Sequence, residues 1–84
     1  NITKIGSRVF EKCSSLKEIV IPDSVVEMGE GTFYECKGLE KARLSEKCEY
    51  IPNYTFKRCE SLRDIEIPEK VKIIRKEAFM NCQK

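Results

Sequence analysis

The residues best suited to chemistry in this chain are its five cysteines, Cys13, Cys36, Cys48, Cys59 and Cys82. A thiolate can act as a nucleophile, a soft metal ligand or a disulfide partner. Each of those uses needs company. There is no histidine in the chain, so no imidazole can serve as base to a nucleophilic thiol or complete a zinc site. Four of the cysteines stand at a constant step of 23 residues. Ligands strung along such a line do not converge on a tetrahedron. An odd number of thiols cannot all pair, and no compact cysteine framework is present. Bridges between successive cysteines stay open on distance alone, because stacked repeats would bring their Cα atoms to about 4.8 Å, within the range a disulfide spans. Against that, stacked side chains point in parallel and a disulfide needs a near-perpendicular torsion. The reading these residues favour is a small buried hydrophobe in a repeated core position.

The same spacing governs other residues. Phe10, Phe33, Phe56 and Phe79 keep the 23-residue step, as do Leu16, Leu39 and Leu62. Ile19, Ala42 and Ile65 form a further column, as do Ile21, Leu44 and Ile67. Ile2, Val25, Cys48 and Val71 make another, and Ile5, Met28, Ile51 and Ile74 the last. The register never slips. An array of this kind packs each unit on its neighbours rather than on one shared globular core. We read a single domain, residues 1–84, made of a partial coil at 1–15 and full units at 16–38, 39–61 and 62–84. Arrays normally end in polar caps, and neither end here looks like one. The chain is therefore expected to be a slice of a longer array, or one that self-associates through its uncapped ends.

Within a unit, Glu18 to Ile21 reads as a strand, with Ile19 and Ile21 at period-2 spacing and Pro22 as its stop. Pro68 repeats that stop and Ser45 replaces it in the middle unit. Val25 and Met28 point inward from a second, shorter strand. Gly29 and Gly6 suit a sharp corner, although Pro52 and Arg75 hold the same column. Phe33 and Cys36, three apart and without strand alternation, suit a helical or 3-10 turn with one inward face. The expected fold is α/β: a solenoid of 23-residue coils, each giving one strand to a parallel sheet and adding a second short strand and a short helical turn.

Parallel stacking makes a prediction about charge, since like charges one rung apart repel. The columns Lys17, Glu40, Arg63 and Glu18, Lys41, Asp64 alternate in sign, as do Lys12, Glu35, Arg58. Arg43 should face Glu66, Glu49 should face Lys72, and Lys37 should face Glu60. The column Asp23, Glu46, Glu69 disobeys. Most charges are thus expected to neutralise one another on a solvated face. Sixteen basic against 14 acidic residues leave a net charge of +2, too balanced for a nucleic-acid footprint. No apolar run approaches the ~18 residues of a membrane span, and no leader is visible. There is no glycine-rich phosphate loop, and nothing predicts a buried carboxylate of raised pKa. An enzyme is not expected, nor a cofactor or metal.

The run Leu16-x-x-Ile19-x-Ile21-Pro22-x-x-Val25-x-x-Met28-Gly29-x-x-Thr32-Phe33-x-x-Cys36 resembles the BspA-type leucine-rich repeat, whose unit reads roughly LxxIxIPxxVxxIGxxAFxxC. The likeness covers the whole chain, with departures at Ala42, Ser45, Cys48, Pro52 and Arg75. It implies a right-handed, gently curved solenoid belonging to a cell-surface or secreted protein. It also implies a non-enzymatic role in adhesion, with a protein partner such as a host extracellular matrix protein. On such a scaffold the outward residues of the main strands are the candidate protein-binding set: Glu18, Val20, Lys41, Arg43, Asp64 and Glu66. Arg43 alone among them is a typical hot-spot residue. Tyr50 shares an exposed column with Ile73, an apolar contact suited equally to neighbouring chains or to a partner. The alternative role is a spacer segment of a stalk. Asn53-Tyr54-Thr55 and Asn1-Ile2-Thr3 match the glycan acceptor pattern, which carries meaning only in a secreted eukaryotic protein.

Overall fold

A computed structural model of the chain describes residues 2–82. The strands follow the columns: β1 Lys4–Ile5, β2 Glu18–Val20, β3 Glu27–Met28, β4 Lys41–Arg43, β5 Tyr50–Ile51, β6 Asp64–Glu66 and β7 Ile73–Ile74. β2, β4 and β6 form one three-stranded parallel sheet. Its register puts Glu18, Lys41 and Asp64 side by side, then Ile19, Ala42 and Ile65, then Val20, Arg43 and Glu66. Each of these triplets is a 23-residue column. β2 stops one residue before the expected end, at Val20, but the Ile21 amide still donates to the Arg43 carbonyl at 2.8 Å.

On the other side of the coil the short strands pair as β1 with β3 and β5 with β7. Among the described residues β3 and β5 do not pair. The cause is Pro52. At this place in the coil the Gly29 amide donates to the Ile5 carbonyl at 2.7 Å and the Arg75 amide to the Ile51 carbonyl at 2.9 Å. Between those two seams the donor position falls on Pro52, which has no N–H. Gly29 itself answers to close approach as well as to the corner. A Cβ there would lie 2.4 Å from the backbone nitrogen of Ser7 in the preceding coil.

The stretch around Phe-x-x-Cys differs from the helical turn expected. It contains no helix and is a chain of hydrogen-bonded turns. The Cys36 amide donates to the Phe33 carbonyl at 3.1 Å and the Tyr34 amide to the Gly31 carbonyl at 3.0 Å. Intervening amides turn outward to the next coil: Gly31 to the Asn53 carbonyl, Phe33 to Thr55, Glu35 to Lys57. An α-helix would need those donors for itself. Two columns hold positive φ throughout, Arg8, Gly31, Tyr54, Glu77 and Lys12, Glu35, Arg58, Asn81. Glu35, third in the turn Phe33 to Cys36, has φ 57°, the left-handed conformation that a type II turn requires there. Only Gly31 and Asn81 are residue types that visit this region readily. Replacing Lys12 (φ 61°) by glycine should therefore raise stability by about 0.5–1 kcal/mol, read as the shift in a urea midpoint. Its only charge contact among the described residues is a 3.9 Å approach of its exposed ammonium to Glu35, which contributes little. A fall in the midpoint would contradict the strain argument.

The core is one continuous cluster running through the coils, with Phe33, Phe56, Leu39, Leu44, Ile51, Val25, Cys36 and Cys59 fully buried. The phenylalanine rings stack in sequence at centroid distances of 5.5, 5.4 and 5.4 Å, nearly parallel. Two column positions of the last coil do not stay inside: Ile74 is 54% exposed and Ile67 42%, and Ile2 of the first coil is 63% exposed. A middle coil is covered from both sides, whereas the first and last coils are covered from one.

Candidate functional site

The structure brings the six outward strand residues together. Glu18, Lys41 and Asp64 lie in one row and Val20, Arg43 and Glu66 in the next, with the inward Ile19 and Ala42 between them. All six line a shallow open hollow of about 260 Å³. Arg43 is the centre of its electrostatics. Its guanidinium lies 3.6 Å from Glu66, 3.6 Å from Glu46 and 3.8 Å from Asp23. This also answers how the disobedient acidic column is tolerated: Arg43 reaches both Asp23 and Glu46, and the Glu46 amide donates to the Asp23 carboxylate at 2.9 Å. Column reasoning misses this contact, because Arg43 meets Glu46 three residues along the chain and Asp23 on the diagonal of the coil below.

The other charge columns are realised in part. Glu35 is flanked by Lys12 at 3.9 Å and Arg58 at 3.2 Å, and Arg63 meets Glu40 at 3.2 Å. The expected pairs Glu49 with Lys72 and Lys37 with Glu60 are not among the ion pairs of the described residues. The tightest pair joins Lys57 to Glu77 at 2.6 Å. That hydrogen bond holds the Lys57 ammonium above its ordinary pKa and the Glu77 carboxyl below its own.

The cysteines are free thiols, placed as core side chains. They do one thing that spacing did not reveal. Cys36 Sγ donates to the Phe10 carbonyl, Cys59 Sγ to Phe33 and Cys82 Sγ to Phe56, each at 3.0 Å. Each thiol thus ties one coil to the phenylalanine of the coil before. Burial pushes the thiols of Cys36, Cys48 and Cys82 up, and that of Cys59 up to about 12. A thiol so placed is inert as a nucleophile at neutral pH. Thr32 and Thr55 are buried by the same logic, their hydroxyls donating to the carbonyls of Gly29 and Pro52 at 2.7 and 2.8 Å. Ser45, the substitute for a proline stop, donates to the Val25 carbonyl at 2.6 Å and accepts from the Lys47 amide at 3.1 Å. Of the two acceptor patterns, Asn53 has its side chain engaged with the neighbouring coils, accepting from the Lys76 amide at 3.0 Å and donating to Glu30 at 3.4 Å. The other pattern begins at Asn1, outside the described residues.

A second group of surface residues lies on the opposite short-strand side. Tyr50 and Ile73 pair there in register, as their shared column requires. Arg75 stacks over the Tyr50 ring at 5.1 Å. Among the described residues no helix is long and apolar enough to cross a membrane.

Comparison with known proteins places this architecture. The family model described as the BspA type leucine rich repeat region (6 copies) matches residues 1–84. Among solved structures, a leucine rich cell surface protein from Faecalibacterium prausnitzii superposes with a TM-score of 0.94 at 34% identity, over 98% of this chain and 22% of that one. A leucine-rich repeat protein from Bacteroides ovatus gives 0.87 at 34% identity, over 96% of this chain and 21% of that one. The leucine-rich repeat protein of T. pallidum gives 0.63 at 25% identity, over 96% of this chain and 49% of that one. The chain thus spans about a fifth of the length of the first two. No curated protein matches it.

Proposed function

Because the chain belongs to the BspA-type leucine-rich repeat family, we propose that it serves as a non-enzymatic protein-binding module of a cell-surface or secreted protein. The partner we propose is a host extracellular matrix protein, met by Glu18, Val20, Lys41, Arg43, Asp64 and Glu66. The observation that carries this reading is the in-register alignment of those six side chains on one exposed parallel sheet, around one open hollow. Repeat arrays use extended surfaces of this kind for partners. The F. prausnitzii neighbour, a leucine rich cell surface protein, supports the location.

Arg43 needs care as a test position, since it compensates three carboxylates of its own chain. The experiment therefore uses Lys41→Ala with Val20→Ala, whose side chains are exposed and make no ion pair among the described residues. Binding to immobilised fibronectin, laminin and collagen is measured for the native chain and the double variant. The expected result is binding to one of them, weakened roughly fivefold or more by the substitutions. Binding to none of the matrix proteins, or binding untouched by the double variant, would favour the spacer role. Self-association through the end coils belongs to the same proposal, and a monomer mass by light scattering would remove it.

A further inference from the structure

We propose that the short-strand side of the coils, centred on Tyr50 and Ile73, is a second docking surface, built for an acidic protein segment that also carries apolar side chains. Two independent features support it. The first is charge. Two adjoining hollows on this side are lined by Lys47, Lys70, Lys72 and Arg75, with Glu49 as their one carboxylate. None of those four cations makes an ion pair among the described residues. Lys17, Lys37, Lys41 and Lys76 also lack an ion pair among the described residues, whereas Lys4, Lys12, Arg43, Lys57, Arg58 and Arg63 each meet a carboxylate of a neighbouring coil. What sets this side apart is that four such cations gather around two adjoining hollows. Four cations gathered around a single carboxylate offer complementarity to an anionic partner.

The second feature is apolar. Ile73 and Val26 are each 50% exposed, and Tyr50 lines both basic hollows. The neighbouring hollow beside Pro52, which Glu27 and Glu30 line, lies outside the docking surface. A half-buried tyrosine stacked under an arginine, next to exposed branched aliphatics, is the composition of an interface core rather than of a solvated rim. The hollow between Tyr50 and Ile73 measures about 590 Å³. A sulfated polysaccharide or a nucleic acid would satisfy the lysines and leave Ile73 and Val26 wet. A protein segment with both carboxylates and aliphatic side chains satisfies both features at once, which is why it is the occupant we assign.

The surface shares no lining residue with the β2–β4–β6 face, so this inference and the proposed function fail separately. The test is fluorescence anisotropy with a labelled peptide of alternating Glu and Leu, a Lys and Leu peptide of the same length, and labelled heparin. Variants are Lys70→Glu with Lys72→Glu, Ile73→Ser, and Lys41→Ala with Val20→Ala as a control on the other face. The expected result is binding of the acidic peptide but not the basic one. Affinity should fall roughly tenfold in the charge-reversed variant and about threefold in Ile73→Ser, with no change in the control. Circular dichroism confirms that the variants are folded. Heparin binding as tightly as the acidic peptide with Ile73→Ser indistinguishable from native would overturn the assignment in favour of a plain polyanion site. Charge reversal without effect would overturn the surface altogether.

Discussion

Replacing Phe33 by alanine is expected to destabilise the chain by about 3–5 kcal/mol, the range for removing a buried aromatic from a packed core. Phe33 is fully buried. Its ring lies between Phe10 at 5.5 Å and Phe56 at 5.4 Å, so truncation removes two stacking contacts as well as buried area, and such contacts add about 0.5–1.5 kcal/mol each beyond burial. The cavity would sit at the boundary between two coils, where the Phe33 amide bonds to the Thr55 carbonyl and Cys59 Sγ to the Phe33 carbonyl. Collapse of the coils to fill it would strain both bonds, so the site is a poor one for relaxation. Phe79 gives an internal comparison. It is only partly buried and stacks on one ring, so Phe79→Ala should cost clearly less. Urea unfolding monitored by circular dichroism reads both variants. Equal losses at Phe33 and Phe79 would mean that the stacked column does not carry the array.

How much of this was legible beforehand depends on whether a feature repeats at the 23-residue step. Phe33, Cys36, Leu39 and Ala42 were readable as inward because each has equivalents above and below, and the strand register then had only one solution. The helical or 3-10 turn expected at Phe33 to Cys36 is not seen, for a definite reason. Inward positions three apart fit a helix and a turn equally, and the deciding variable is the sign of φ. Seven of the eight positive-φ positions among the described residues are not glycine, so composition gives little sign of them. The inter-coil hydrogen bonds, not local propensity, hold Arg58 or Tyr54 in that conformation. Arg43 shows a different limit. Its partner Glu66 was found by column, but Asp23 and Glu46 lie off the column. The thiol bonds escaped for the same cause, since Cys59 meets Phe33 across 26 residues rather than 23. Pro52, by contrast, announces its effect in the sequence: a residue without an N–H in a position where its equivalents donate must open the seam.

The cysteine column leads to the second large effect, a loss of stability at alkaline pH. Burial pushes the Cys59 thiol from an ordinary value of 9.0 up to about 12, and raises Cys36, Cys48 and Cys82 in the same direction. In the folded chain these groups stay protonated where the unfolded chain has begun to ionise. Above pH 9 the unfolded state therefore binds fewer protons than the folded one, and stability must fall as pH rises. Below pH 9 both states are protonated, so the thiol contribution is fully present and flat. For Cys59 the window of loss runs from its unfolded value of 9.0 to its folded value of about 12. Within that window one such thiol changes stability by about 1.4 kcal/mol per pH unit. Alkali acts on other parts of the chain as well, which is why the decisive quantity is a difference in slope. Cys59→Ala removes one thiol and leaves every lysine and tyrosine in place. The variant will be less stable at pH 7, because it loses packing and the bond to the Phe33 carbonyl. Its stability should nevertheless fall with pH less steeply than that of the native chain, by about 1.4 kcal/mol per unit between pH 9.5 and 11. Denaturant unfolding at a series of pH values under reducing conditions measures both slopes. Parallel slopes would show that the Cys59 thiol ionises as readily inside the stack as outside it, and the sulfur would then not lie in the dry interior that the hydrogen bond to Phe33 describes.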